Sequence, residues 1–296
     1  MKVLVTGAGG QLSRELVRLG LAAGLRLVGL TRAELDVTDP AAVRRAVAEG
    51  GYGLVVNAAA YTDVDRAETE PEKALAVNRD GPARLAAACA RQGLPLVHVS
   101  TDYVFDGEKG APYKETDPAH PVNEYGRSKA EGEAEVRRLL PEHLIVRTSW
   151  LCGPGGRNFV TTMLALARTQ ETLRVVTDQC GCPTYAADLA RAILALARRL
   201  EEGRPGPFGT YHFCGRGRAS RYNLALRTIA LARRHESLKV KNVEPALTSE
   251  FPAPARRPAD STLDCSLFEL TFGFGPPDWE DGLSRLIEAV YRKESR

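Results

Sequence analysis

Long apolar stretches are missing from this 296-residue chain. No run reaches the ~18–20 residues that a membrane-crossing helix needs, so no membrane partner is expected. The opening Met1-Lys-Val-Leu-Val-Thr-Gly7 has too short an apolar segment for a secretory leader and runs straight into glycines. A cytoplasmic protein is expected. Cysteine is sparse and scattered, at positions 89, 152, 180, 182, 214 and 265. This does not read as a disulfide framework, and reduced, mostly buried thiols are expected. Cys180-Gly-Cys182 has no companion C-x-x-C or H-x-x-x-H, so the spacing does not support a zinc site. A net charge of only +3 argues against nucleic acid as the main partner, while saying nothing of a local anion site. Internal repeats and low-complexity tails are absent.

What remains is an ordinary globular composition, 44% hydrophobic and 26% charged, with enough chain for one large or two moderate domains. The pattern alternates strand and helix. Lys2–Thr6 reads as a buried strand, followed at once by Gly7-Ala-Gly9-Gly10-Gln11-Leu12-Ser13 and an amphipathic helix to Gly20. Strand, glycine turn and helix are the opening of a dinucleotide-binding unit. Backbone N–H groups must approach a pyrophosphate closely at a positive helix end, and side chains at Gly7 and Gly10 would obstruct this. Ser13 stands where a third glycine often sits.

Leu25–Leu30 is the next expected strand. An acid at its end would favour NADH by binding the ribose 2′-hydroxyl; here Thr31-Arg32 follows. Arg32 can accept a 2′-phosphate, so the reading leans to NADPH, with NADH left open. Leu35–Pro40 reads as a short edge and helix start, with Asp39 as N-cap and Pro40 at N1. Strands are expected at Gly53–Asn57 and Leu96–Ser100, with one long helix over Glu72–Gln92 between them. Ala58-Ala59-Ala60 gives a flat ligand room to lie against backbone. Asp63 and Asp65 suit capping or solvation better than metal binding.

Asn123-Glu-Tyr-Gly-Arg-Ser-Lys129 places Tyr125 and Lys129 one turn apart on the same helix face. A free tyrosine titrates near ~10, and a neighbouring ammonium is expected to lower that value. The second half continues with strands near Leu144–Thr148, Leu173–Val176, Thr210–Cys214 and Val240–Val243. Helices are expected at Asn158–Thr169, Tyr185–Arg199, Tyr222–His235 and Trp279–Lys293. The fold class is therefore α/β: a doubly wound parallel-sheet Rossmann domain with a smaller, discontinuous α/β substrate domain. The first comprises 1–150 with roughly 171–192 and 236–247; the second, roughly 151–170, 193–235 and 248–296. Arg256-Arg257 offers adjacent guanidiniums for a phosphate or diphosphate.

The segments Gly7-to-Leu12, Asn57-to-Asp65, Ser100-Thr-Asp-Tyr-Val-Phe105, Tyr125-x-x-x-Lys129, Arg147-Thr-Ser-Trp150, Asp178-to-Thr184 and Pro254-to-Pro258 together resemble the extended short-chain dehydrogenase/reductase family. The likeness covers nearly the whole chain and is greatest to the branch that reduces C4 of the nucleotide sugar dTDP-4-dehydro-L-rhamnose. The resemblance implies that Tyr125 donates a proton, Lys129 holds the nicotinamide ribose and Thr101 hydrogen-bonds the carbonyl. It implies Asp102, Trp150 and Arg257 on the substrate side. It implies Gly7, Gly10, Gln11 and Leu12 at the pyrophosphate, Asp36 and Val37 at the adenine, and Ala60, Tyr61, Thr62 and Val99 flanking the cofactor. Some relatives hold Mg2+ at a dimer interface through glutamates. Glu15 matches one such position, but Ala187 replaces another, which leaves a metal doubtful and monomer or homodimer open. Two alternatives share the pattern: a non-catalytic NADP-binding regulatory subunit of the methionine adenosyltransferase type, and a reductase or epimerase of another nucleotide sugar.

Overall fold

The computed structural model describes residues 1–294. The first half alternates almost strictly: β1 (Lys2–Thr6), α1 (Gln11–Gly20), β2 (Arg26–Leu30), α2 (Pro40–Glu49), β3 (Leu54–Asn57), α3 (Val64–Thr69), α4 (Pro71–Leu75), α5 (Gly81–Gln92), β4 (Leu96–Thr101), α6 (Glu124–Leu139) and β5 (His143–Thr148). The second half is more broken: β6 (Leu151–Cys152), α7 (Phe159–Thr169), β7 (Thr172–Val176), β8 (Cys180–Gly181), β9 (Thr184–Tyr185), α8 (Ala186–Glu201), β10 (Gly209–His212), β11 (Ala219–Ser220), α9 (Arg221–Ala232), β12 (Asn242–Ala246), α10 (Ser266–Phe272) and α11 (Trp279–Glu294).

Among the described residues, six strands form one parallel sheet in the order β10-β5-β4-β3-β1-β2. Its central strands are apolar on both faces because helices cover both. Val3, Val5, Leu54 and Val97 pack toward α1 and α8, while Leu4, Val55, Leu96 and Ile145 pack toward α2, α5 and α6. The chain leaves β1 for β2 on one side, then crosses back to β3 on the other. That reversal opens a crevice beyond the carboxyl ends of β1 and β3, where ligands of open α/β sheets bind. Thr6 pairs with Asn57, and Thr101 with Thr148, so the strand ends share one edge. The smaller substructure after β5 holds three two-stranded pairs, β6/β9, β7/β12 and β8/β11. Clusters around Leu164, Leu224, Leu286 and Ile229 pack it together.

Two expectations are corrected. Leu35–Asp39 pairs with nothing and forms turns, although Asp39 does cap α2 by accepting from the N–H groups of Ala41 and Ala42. The acid-capped turn satisfies the backbone locally and removes the need for an edge strand. The single helix expected over Glu72–Gln92 is divided by a π-helical turn at Ala76–Asp80. All six cysteines are free, and five of them are buried. None of the described helices is long and apolar enough to cross a membrane.

Candidate active site

A cleft of about 840 Å3 opens at the reversal point of the sheet. Gly7, at φ 67°, turns the chain out of β1; a side chain there would put its first carbon 2.8 Å from the Ala59 Cα. Gly10 precedes α1 as an N-cap without a side-chain bond, leaving the first-turn N–H groups directed at the cleft. Asn57 closes the floor. Its Oδ1 accepts from Thr6 Oγ1 at 2.7 Å and from Ala59 N at 3.2 Å, and its Nδ2 lies 3.1 Å from His98 Nδ1. Asn78, presented by the π turn, pins Tyr61 from both sides. Its Oδ1 accepts from Tyr61 N at 2.8 Å, and its Nδ2 donates to Tyr61 O at 3.0 Å and to Ser128 Oγ at 2.9 Å. Buried amides thus fix the loop after β3.

α6 starts at the cleft because Asn123 caps it, accepting from Gly126 N at 2.8 Å. Tyr125 and Lys129 both face inward. Lys129 is almost wholly buried, and its Nζ donates to Val99 O at 2.7 Å. Burial, partly offset by the charge of Glu133, brings its pKa down to about 8. The expected lowering of the tyrosine pKa by lysine is overturned. Desolvation raises the Tyr125 pKa, outweighing a hydrogen bond with Thr101, and the phenol stays protonated. Lysine spends a proton on the Val99 carbonyl rather than on the phenol. Thr101 Oγ1 donates to Asp102 Oδ1 at 3.0 Å. Asp102 also accepts from Ser149 Oγ at 2.9 Å and from Ser261 Oγ. Burial pushes its carboxyl pKa up despite these three hydroxyls.

Gly7, Gly10, Gln11, Leu12, Arg32, Asp36, Val37, Ala60, Tyr61, Thr62, Val99, Thr101, Asp102, Tyr125, Lys129 and Trp150 all line this one cleft. Arg32 is exposed and donates from Nε to Asp36 Oδ2 at 3.3 Å. Arg257 departs from the expectation: it is outside the cleft lining and its guanidinium forks onto Asp65 at 2.6 and 2.7 Å. A carboxylate 192 residues away satisfies it first. Asp65 is thereby an ion-pair partner, and Asp63 caps α3. Glu15 also lies elsewhere, in a second cavity, with its carboxylate held by Arg18. Among the described residues no three His, Cys, Asp or Glu side chains gather as a metal would require. Arginine surrounds Glu15, and the donor set does not fit a cation.

Around the expected Trp150 stand several cleft residues that the sequence alone does not single out. Trp150 has φ 45°, a strained value for a bulky residue. Its indole is backed by Gly181, where a side chain would come within 2.7 Å of the ring, and covered by Arg221, whose guanidinium carbon is 3.6 Å from the ring centroid. Arg221 begins α9, 71 positions after Trp150, so only the tertiary fold reveals the pair. Tyr103 stands edge-on to Tyr125, with ring centroids 5.7 Å apart. Thr148 Oγ1 is buried in the cleft wall without a hydrogen-bond partner among the described residues, open to a polar ligand group. Arg157, Asn158 and Phe159 close the far rim. The Tyr103 signal lay in the Ser-Thr-Asp-Tyr motif; Arg221 had none.

The family model described as the RmlD substrate binding domain matches residues 1–292. A dTDP-4-dehydrorhamnose reductase of Sinorhizobium fredii is 41% identical over 291 residues, covering 98% of this chain and 98% of that protein. The crystal structure of a dTDP-4-dehydrorhamnose reductase from Clostridium acetobutylicum superposes with TM-score 0.91 at 39% identity, over 98% of this chain and 100% of that one. The enzyme of the same name from Bacillus anthracis, solved in complex with NADP, gives TM-score 0.89 at 37% identity, over 97% and 98%.

Proposed function

The chain belongs to the family of the RmlD substrate-binding domain, and from that premise we propose that its cleft reduces the C4 ketone of dTDP-4-dehydro-L-rhamnose to the alcohol of dTDP-L-rhamnose. It is an oxidoreductase of dTDP-rhamnose synthesis that uses NAD(P)H. The reaction consumes NAD(P)H and one proton and releases NAD(P)+. Bound in the cleft, the reduced nicotinamide supplies the hydride.

The residues present fit such a cofactor. Gly7 and Gly10 leave room that a side chain would fill, and the uncapped start of α1 offers N–H groups to a pyrophosphate. Gln11, Leu12, Ala60, Tyr61, Thr62 and Val99 form the surrounding wall, with Asp36 and Val37 on the adenine side. Lys129 keeps one proton on Val99 and has others for ribose hydroxyls. Arg32 is the 2′-phosphate ligand, which makes NADPH the preferred form.

Tyr125, protonated by its surroundings, gives its phenolic proton to the alkoxide that develops at C4. Thr101 stands between that phenol and Asp102, and turns its hydroxyl proton from Asp102 to the substrate carbonyl to orient it. Trp150 and Arg221 bind the sugar nucleotide, Arg221 taking the diphosphate in place of Arg257. Arg257 supports that side through Tyr103. The six-stranded sheet and the helices packed on it, α8 and β10 included, form the cofactor side, so 193–212 moves there from the segments expected on the substrate side. β6, α7, β7, β8, β9, β11, α9, β12 and α11 form the substrate side, which gains 171–185 and 242–246.

One observation carries this reading: Tyr125, Thr101 and Lys129 meet in the same cleft as the glycine turn. Purified protein incubated with dTDP-4-dehydro-L-rhamnose and NADPH tests it, by cofactor absorbance and identification of the product sugar. Formation of dTDP-L-rhamnose with one NADPH oxidised per sugar is expected. NADPH bound but never oxidised, across several 4-keto nucleotide sugars, overturns the reading in favour of a regulatory subunit.

A further inference from the structure

The second cavity, of about 550 Å3, lies behind the glycine turn and shares Gln11 and Gly155 with the large cleft. Helical spacing builds two of its walls. Arg14 and Arg18 project from one face of α1; Arg285, Arg292 and Lys293 from one face of α11. Arg191 of α8 completes six cations around one lining carboxylate, Glu15.

Four of these cations are already paired. Arg18 bonds Glu15, Arg191 and Arg285 share Asp188, and Arg292 meets Glu288. Arg14 and Lys293 have no carboxylate partner among the described residues. Yet they converge. The first carbon of a side chain at Gly155 would lie 3.0 Å from Arg14 Nη1 and 3.2 Å from Lys293 Nζ. The two exposed charges are therefore no more than about 6 Å apart and face one shared space. Glycine at 155 keeps that space open.

We propose that this cavity is a binding site for a small phosphate-bearing anion, held between Arg14 and Lys293, and that it replaces the cation site suggested by Glu15. Two unpaired positive charges match the two negative charges of a phosphate group, and the surrounding paired arginines add donors. A divalent cation would meet six positive side chains and a glutamate already held by Arg18.

The test is equilibrium binding of inorganic pyrophosphate to full-length protein at fixed ionic strength, with the large cleft first filled by NADP+ and dTDP. Binding of those two ligands is measured separately, so a failure of the proposed activity is distinguishable from a failure of this site. One pyrophosphate per chain is expected. Arg14→Ala with Lys293→Ala should weaken it by on the order of tenfold or more, at unchanged NADP+ affinity and turnover. Arg44→Ala with Arg45→Ala, two exposed cations on α2, should leave it unchanged. No binding, or equal loss in both variants, overturns the proposal as an unspecific charge effect. Mg2+ binding that Glu15→Gln abolishes overturns it in favour of a metal.

Discussion

Successive turns of α6 carry two buried charges that are handled in opposite ways. Lys129 faces the cleft, has no carboxylate of its own, and rests on the Val99 carbonyl. One turn on, Glu133 points beneath the sheet edge. Arg147 clamps it with bonds of 2.8 and 2.7 Å, and Arg137 adds a third at 2.6 Å. Burial alone would raise the Glu133 pKa, but the two guanidiniums hold it at about 2. Lys129, whose burial the charge of Glu133 offsets only in part, instead falls to about 8. A buried charge surrounded by its complement is inert and holds structure. The same burial without a partner leaves a group that titrates near working pH, where chemistry can use it.

The largest effect is expected at the first turn. Tyr125→Phe should lower turnover by about 10^2–10^4-fold while NADPH affinity, measured by fluorescence titration, stays within a few-fold. Unchanged turnover would remove the phenol from the reaction. Glu133→Gln should act on stability instead. It leaves Arg147 buried beside a neutral partner, costing about 3 kcal/mol or more, read as a lower denaturation midpoint, with activity per folded molecule largely kept. The sign with pH follows from the depressed pKa. The stabilisation by Glu133 is complete above its ordinary value of 4.5 and is lost as pH falls toward about 2, so the variant should lose less stability on acidification than the parent. A variant equally sensitive to acid would mean that this pair does not carry the acid response. Outside both turns, Arg32→Ala should raise the KM for NADPH several-fold and hardly change that for NADH. Equal changes would detach Arg32 from the 2′-phosphate.

How far the chain itself announced this arrangement depended on sequence distance. β1, the glycine turn and α1 are contiguous, and each local preference agrees with its neighbour, so Gly7 to Leu12 could be assigned from spacing. Tyr125 and Lys129 share a helix face, and helical period alone brings them together. That Arg257 pairs with Asp65 and not directly with the cleft is a tertiary event no local pattern announces. Arg221 was invisible for the same reason: it reaches Trp150 only after two-residue strands have folded the chain back. Leu35–Val37 carried strand-like composition, but the Asp36 and Asp39 turns satisfied the backbone first. The pKa of Tyr125 was misjudged because a neighbouring charge can be counted from sequence and desolvation cannot.

The contrast between the two turns of α6 is tested most directly by the pH dependence of single-turnover reduction, with dTDP-4-dehydro-L-rhamnose and saturating NADPH, in the parent and in Lys129→Met. The parent should lose rate as one proton leaves a group titrating near pH 8, and the variant should be slower with that limb gone. An identical alkaline limb in both proteins would contradict the account.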